Sequence, residues 1–151
     1  MVQFSKLLVI VCRHSKYKFL IPVNTDITSQ QVVEIMDKFI FPTTGYPVSI
    51  TLDRDPLFTS YIFTEWARNK GTRLDFSSGH HPQTDGQTEI VNKELRQVLR
   101  VIREEGSNWL AKIPEIQFKL NSRYDASRKL SPFQTVYGFN PRVKPPTLPY
   151  P

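Results

Sequence analysis

Two acids stand where a folded chain can hold a carboxylate still. Asp53 follows the run "PVSITL" (Pro47 to Leu52) and opens "DRDP", so it projects from the carboxyl edge of an expected strand, the usual place for function in open α/β sheets. Glu89 closes "HHPQTDGQTE" (His80 to Glu89), in which Thr84, three residues before Gln87, forms a capping box and Asp85 suits the positive end of a helix. Glu89 therefore falls about one turn inside that helix. Carboxylates anchored on rigid elements can hold hard divalent cations. Asn92, Lys93, Arg96 and Arg100 share a helical stripe with Glu89, however, and an acid among cations is equally the pattern of a solvated helix face. His80 and His81 do not make a zinc site, because no matching Cys or His pair occurs elsewhere.

The elements that position these acids follow from periodicity. "LLVIVC" (Leu7 to Cys12) and "YKFLIPV" (Tyr17 to Val23), separated by the polar "RHSK", read as a hairpin, and the first run, apolar throughout, as an interior strand. "TSQQ" (Thr28 to Gln31) is a capping box opening a helix to about Ile40, with Val32, Ile35, Met36, Phe39 and Ile40 on its buried face and Pro42 and Gly45 closing it. Thr59 is an N-cap candidate for a helix that buries Phe63, Trp66 and Ala67 and stops at Gly71. The strand "TRLDF" comes next. Val91, Leu95, Val98 and Ile102 recur at helical spacing, giving a long helix to about Glu105. A further helix spans Asn108 to about Ser122, bent by Pro114, and "SPFQTVYG" is a short helix capped by Ser131. This order predicts an α/β chain with a mixed sheet, antiparallel at first and crossover-connected afterwards. One core domain over residues 1–140 and a proline-rich tail over 141–151 are expected.

Composition narrows the partners. The 151 residues carry a formal charge of +6, which favours an anionic partner through counterion release. The longest apolar run is too short to span a bilayer, and no signal-peptide pattern opens the chain. The single cysteine, Cys12, permits no disulfide within the chain and reads as a small core residue.

"LDRDPLFTS", "GTRLDFSSGHHPQTDGQTEIVNKELR" and "SPFQTVYG" together resemble the catalytic core of retroelement integrases, closest to Gypsy-like long-terminal-repeat retrotransposons, over nearly the whole chain. The resemblance implies a ribonuclease H-like fold and a D,D-35-E triad holding two Mg²⁺ or Mn²⁺ ions, and 35 residues do separate Asp53 from Glu89. Asp53 matches the family's second aspartate and Glu89 its glutamate, while Asp55, before a proline, reads as a turn former. The implied activity is metal-dependent 3′-end processing and DNA strand transfer by an enzyme released from a Pol polyprotein. Such an enzyme would work as a homo-oligomer on element ends and target DNA, in the nucleus after a cytoplasmic stage. Lys93 and Arg96 match positions that approach DNA ends, and Asn92, Gln83, Thr84 and Gln87 are candidates to orient phosphate or to hold the loop.

The chain departs from the family in one respect. The family's first aspartate lies on a strand preceding the hairpin, in the middle of the sheet, and neither Asp26 nor Cys12 replaces it. A ribonuclease H-like fold lacking its first strand is therefore expected, with weak or absent activity, as in a fragment or a truncated gene copy. The two strands that flank the missing one would either pair with each other or leave a gap. The alternatives in function are a non-catalytic DNA-binding or assembly module domesticated from a retroelement, and a ribonuclease acting on hybrids, which the local motifs favour less.

Overall fold

The computed structural model describes residues 4–77, 93–100, 103–104, 106 and 109–142. Strand β1 (Lys6–Val11) pairs antiparallel with β2 (Lys18–Val23), from Lys6 opposite Val23 to Val11 opposite Lys18. Helix α1 (Ser29–Ile35) continues through a π-helical turn (Met36–Ile40) into α2 (Phe41–Thr44) and leads to β3 (Ser49–Leu52). Short α3 (Pro56–Thr59) and α4 (Tyr61–Asn69) carry the chain to β4 (Arg73–Phe76), which pairs parallel with β3. Helices α5 (93–100), α6 (Trp109–Ser122) and α7 (Pro132–Tyr137) follow.

Side-chain alternation builds two cores, one on each face of the hairpin. Ile10, Phe19 and Ile21 join Val32, Met36, Ile40, Phe63 and Trp66 on the α1 and α4 side. Leu7, Val9 and Leu20 face Val98, Ile113 and Leu120 on the α5 and α6 side. Because successive strand residues point to opposite faces and both faces are covered by helices, the strand must be apolar at every position. That is why "LLVIV" shows no polar alternation.

Several boundaries follow the sequence closely. Thr28 caps α1 with both halves of its capping box formed, Gln31 N donating to Thr28 Oγ1 at 3.2 Å and Thr28 N to Gln31 Oε1 at 2.9 Å. Ser131 caps α7, and Gly138 ends it in the left-handed region at φ 82°. Three expectations need correction. The helix does not stop before Pro42: a π turn, in which Phe41 N donates to Met36 O, lets the proline enter without an amide to satisfy. Val33, ahead of the π turn, is buried, and the extra residue within the turn leaves Phe39 46% exposed. Ser60, not Thr59, caps α4, because Thr59 closes the intervening turn of α3. Val91, Ile102, Asn108 and the expected tail beyond Arg142 lie outside the described residues.

The sheet is in two pieces. Among the described residues, β1–β2 and β3–β4 are separate two-stranded sheets, so β1 is covered on both faces but paired along only one edge. A cavity of about 290 Å³ runs between the free edges, lined by residues 8–13 on one side and 49–52 on the other, with Phe19, Val32 and Phe63 among its apolar walls. Arg13 Nη2 crosses it and donates to Thr51 Oγ1. Among the described residues, the strands expected to flank the missing one thus leave a gap and do not pair with each other.

The outer edge of β2 is closed differently. Asn121 on α6, only 1% exposed, accepts from Lys18 N through Oδ1 at 2.8 Å and donates from Nδ2 to Lys18 O at 2.9 Å. Gln117, one turn earlier, accepts from Leu20 N at 2.8 Å. Two side chains imitate a strand and satisfy the backbone that an edge would leave open. Replacing Asn121 with Leu strands a buried donor and acceptor, and should lower stability by about 2–4 kcal/mol in urea unfolding. It should also speed hydrogen exchange at the Lys18 amide more than at Phe19.

Candidate functional site

Asp53 begins where the β3–β4 ladder ends. Leu52 is opposite Phe76, and Ser77 N donates to Leu52 O at 2.8 Å, so the backbone entering Asp53 is held by the neighbouring strand. The pair β3–β4 is positioned in turn by Asp37, whose Oδ1 accepts from Trp66 Nε1 at 2.9 Å and from Tyr46 Oη at 3.2 Å, tying the π turn to α4 and to the approach to β3. Thr72 Oγ1 adds a 2.7 Å bond to Pro47 O at the start of both strands.

The two acids of "DRDP" have different work. Asp55 N-caps α3, its Oδ1 accepting from Leu57 N at 2.9 Å. Asp53 is exposed, and its Oδ1 accepts from Asp55 N at 3.1 Å. The second oxygen, Oδ2, takes no hydrogen bond among the described residues and is available to a cation. A hard carboxylate oxygen on a fixed strand end fits Mg²⁺ or Mn²⁺. Asp75, the register partner of Thr51, offers no such oxygen: Arg73 grips it with Nε at 3.0 Å and Nη2 at 3.0 Å and holds its carboxyl below the usual carboxylate range. Among the described residues no three His, Cys, Asp or Glu side chains gather into a metal site.

Glu89, Gln83, Thr84, Gln87 and Asn92 lie outside the described residues. The chain leaves β4 toward them at Ser77, beside the residue that precedes Asp53. Where the description resumes, Lys93 and Arg96 are exposed on α5, and neither has an ion-pair partner among the described residues. Arg100, on the same stripe, reaches Glu104 at 3.5 Å in an exposed pair.

Sequence reasoning missed the opposite face of α5. Glu94 turns inward, and its Oε2 lies 3.3 Å from Nζ of Lys18, whose side chain is only 7% exposed. The signal was its spacing: Glu94 stands four residues before the buried Val98, on the apolar face.

Residues 2–82 match the integrase core domain family, more than half of the chain. The chain belongs to that family. Relatives include the Transposon Tf2-3 and Tf2-4 polyproteins of Schizosaccharomyces pombe, each 31% identical over 147 residues, or 97% of this chain. The chain spans 11% of the length of these curated relatives. Solved structures agree on the fold. The catalytic core domain of BIV integrase aligns over 91% of this chain and 90% of its own, with a TM-score of 0.70 at 17% identity. The HTLV-2 integrase catalytic core domain in complex with magnesium, in a trimeric form, aligns over 87% and 84%, with a TM-score of 0.67 at 18% identity. The simian T-cell lymphotropic virus intasome gives a TM-score of 0.71 at 18% identity, covering 96% of this chain and 52% of that one. The fold is thus that of integrase catalytic cores, ribonuclease H-like.

The division of labour between the two acids is testable. Asp55→Ala should cost about 1 kcal/mol, the usual loss for a helix cap. Asp53→Asn, which keeps an oxygen able to accept from Asp55 N, should leave the unfolding midpoint within experimental error. Equal losses in urea titration would contradict the assignment.

Proposed function

We propose that this chain is the strand-transfer core of a retroelement integrase, with Asp53 and Glu89 as two of its metal-binding carboxylates. The observation that carries the proposal is the ladder end. Ser77, paired to Leu52, delivers the chain beside Asp53 only twelve residues before Glu89, a short span for bringing the second acid back to the first. The family works with divalent cations, and one relative of the same fold was solved with magnesium. We assign Mg²⁺ or Mn²⁺ as a pair.

Bound there, the metals would polarise the scissile phosphodiester and stabilise the leaving oxygen. The chain's own residues hold and orient. Asp53 presents one oxygen that is unengaged among the described residues, from a fixed strand end. Lys93 and Arg96, exposed on the helix that follows Glu89, contact phosphates of the DNA end, with Asn92, Gln83, Thr84 and Gln87 orienting the backbone. The DNA substrates are element ends and a target duplex. A homo-oligomer acting in the nucleus is the setting in which two ends can be joined together.

The third carboxylate belongs, in this reading, on a strand seated in the groove between β1 and β3. Its free edges need a backbone partner, and an acid on such a strand would lie beside β3. Mg²⁺-dependent joining of an element-end duplex to target DNA tests the proposal. The chain as it stands should transfer at least about a hundredfold more slowly than one preceded by an acidic strand, as expected for misplaced catalytic metals. Asp53→Asn or Glu89→Gln should abolish transfer in the longer form. Transfer that survives both substitutions would refute the assignment, and salt-sensitive DNA binding without any transfer in the longer form would point to a non-catalytic module.

A further inference from the structure

A second cleft, of about 360 Å³, opens between the β1–β2 turn and the loop joining α6 to α7. Its lining includes Lys16, Lys18 and Arg123 against Glu94 and Asp125, an excess of one positive charge before Arg128 is added. Both acids are already engaged. Glu94 faces Lys18, while Asp125 Oδ1 accepts from Ser127 N at 2.9 Å and from Ser127 Oγ at 2.7 Å, with Oδ2 4.0 Å from Arg128 Nε.

Lys18 and Arg123 are less well served. Lys18, more than nine-tenths buried, donates from Nζ to Lys16 O at 3.2 Å and meets Glu94 at 3.3 Å. An ammonium has three N–H donors, so the third has no acceptor among the described residues. Arg123 is exposed at the cleft and pairs with no carboxylate among the described residues. Lys16 is fixed in the left-handed region at φ 64° by a tight turn, Lys16 N donating to Cys12 O at 2.8 Å. Burial, and then the charges of Arg128, Lys18 and Arg13, push its ammonium below the usual lysine range, against the pull of Asp125. Cations gathered from two segments, one of them buried with a spare donor, form a site short of one anion.

We propose that this cleft binds a phosphate group, held by the spare Lys18 donor and the Arg123 guanidinium, with Lys16 at its side. A tetrahedral anion with several acceptor oxygens can meet donors converging from the turn and from the loop at once, and a guanidinium fork suits it. The group can come from a duplex backbone or from free phosphate. Phosphate recognition here does not depend on strand-transfer chemistry; only the choice of the DNA backbone as source rests on that reading.

The test uses the chain without divalent metal, which keeps it separate from the catalytic assignment. Inorganic phosphate, titrated against chloride at constant ionic strength, should give saturable amide shifts confined to residues 16–18 and 123–127. Arg123→Glu should weaken this binding about tenfold, the scale of one charge-assisted contact, and Arg123→Lys should keep most of it. If the backbone is the source, Arg123→Glu also lowers affinity for a fluorescent duplex and reduces the log-log salt slope by about 1. If free phosphate is the source, the shifts saturate and duplex affinity stays as in the parent chain. Absence of saturable shifts overturns the proposal. Equal weakening of duplex binding by Arg68→Glu, a surface change on α4, overturns the DNA backbone as the source, because the effect would then be one of net charge alone.

Discussion

The constraint on which this structure turns is the need of every strand edge for a hydrogen-bonding partner. Three edges show three solutions. The outer edge of β2 is closed by Asn121 and Gln117, which reach from α6 to the Lys18 and Leu20 backbone. The inner edges of β3 and β4 satisfy one another in a parallel ladder. Among the described residues, the facing edges of β1 and β3 have no strand between them, and the Arg13 side chain crosses from one to the other. Apolar walls line both sides of that groove.

Function depends on the same constraint. Asp53 is held because Leu52 is paired to β4, and it keeps an oxygen for a cation because Asp55, two residues on, takes over the capping of α3. The chain then leaves the ladder at Ser77 on its way to Glu89. Charge is distributed accordingly. The end of β3 presents a carboxylate with one oxygen unengaged among the described residues, the outer stripe of α5 presents Lys93 and Arg96, and the inner face of α5 sends Glu94 to neutralise the buried Lys18. One helix therefore separates solvent-facing cations from an internal ion pair, whose loss would leave a costly buried charge.

Much of this was legible from residue types and spacing. The Thr28 capping box, the glycine stop at Gly138 and the two-sided apolar strand are local patterns with local causes, and such patterns placed β1 to β4 and most of the described helices. What escaped was set by tertiary context. The π turn before Pro42 turns Phe39 outward, an effect that no 3.6-residue periodicity contains. Ser60 displaces Thr59 as a cap because the four residues of α3 intervene between Asp55 and the helix proper. Asn121 reads as an ordinary helix residue until its distant partner, Lys18, is known. At the site, Asp53 and Asp55 could be told apart by the proline after Asp55, whereas the proposed meeting of Asp53 with Glu89 is a tertiary matter that no local pattern contains.

The central claim is that Asp53 and Glu89 grip a shared cation, and paramagnetic broadening by Mn²⁺ tests it directly. Amides around residue 53 and around residue 89 should broaden together during titration, and either Asp53→Asn or Glu89→Gln should abolish the effect at both places. Broadening near one acid that persists after the other is neutralised would show two unrelated carboxylates and contradict the account.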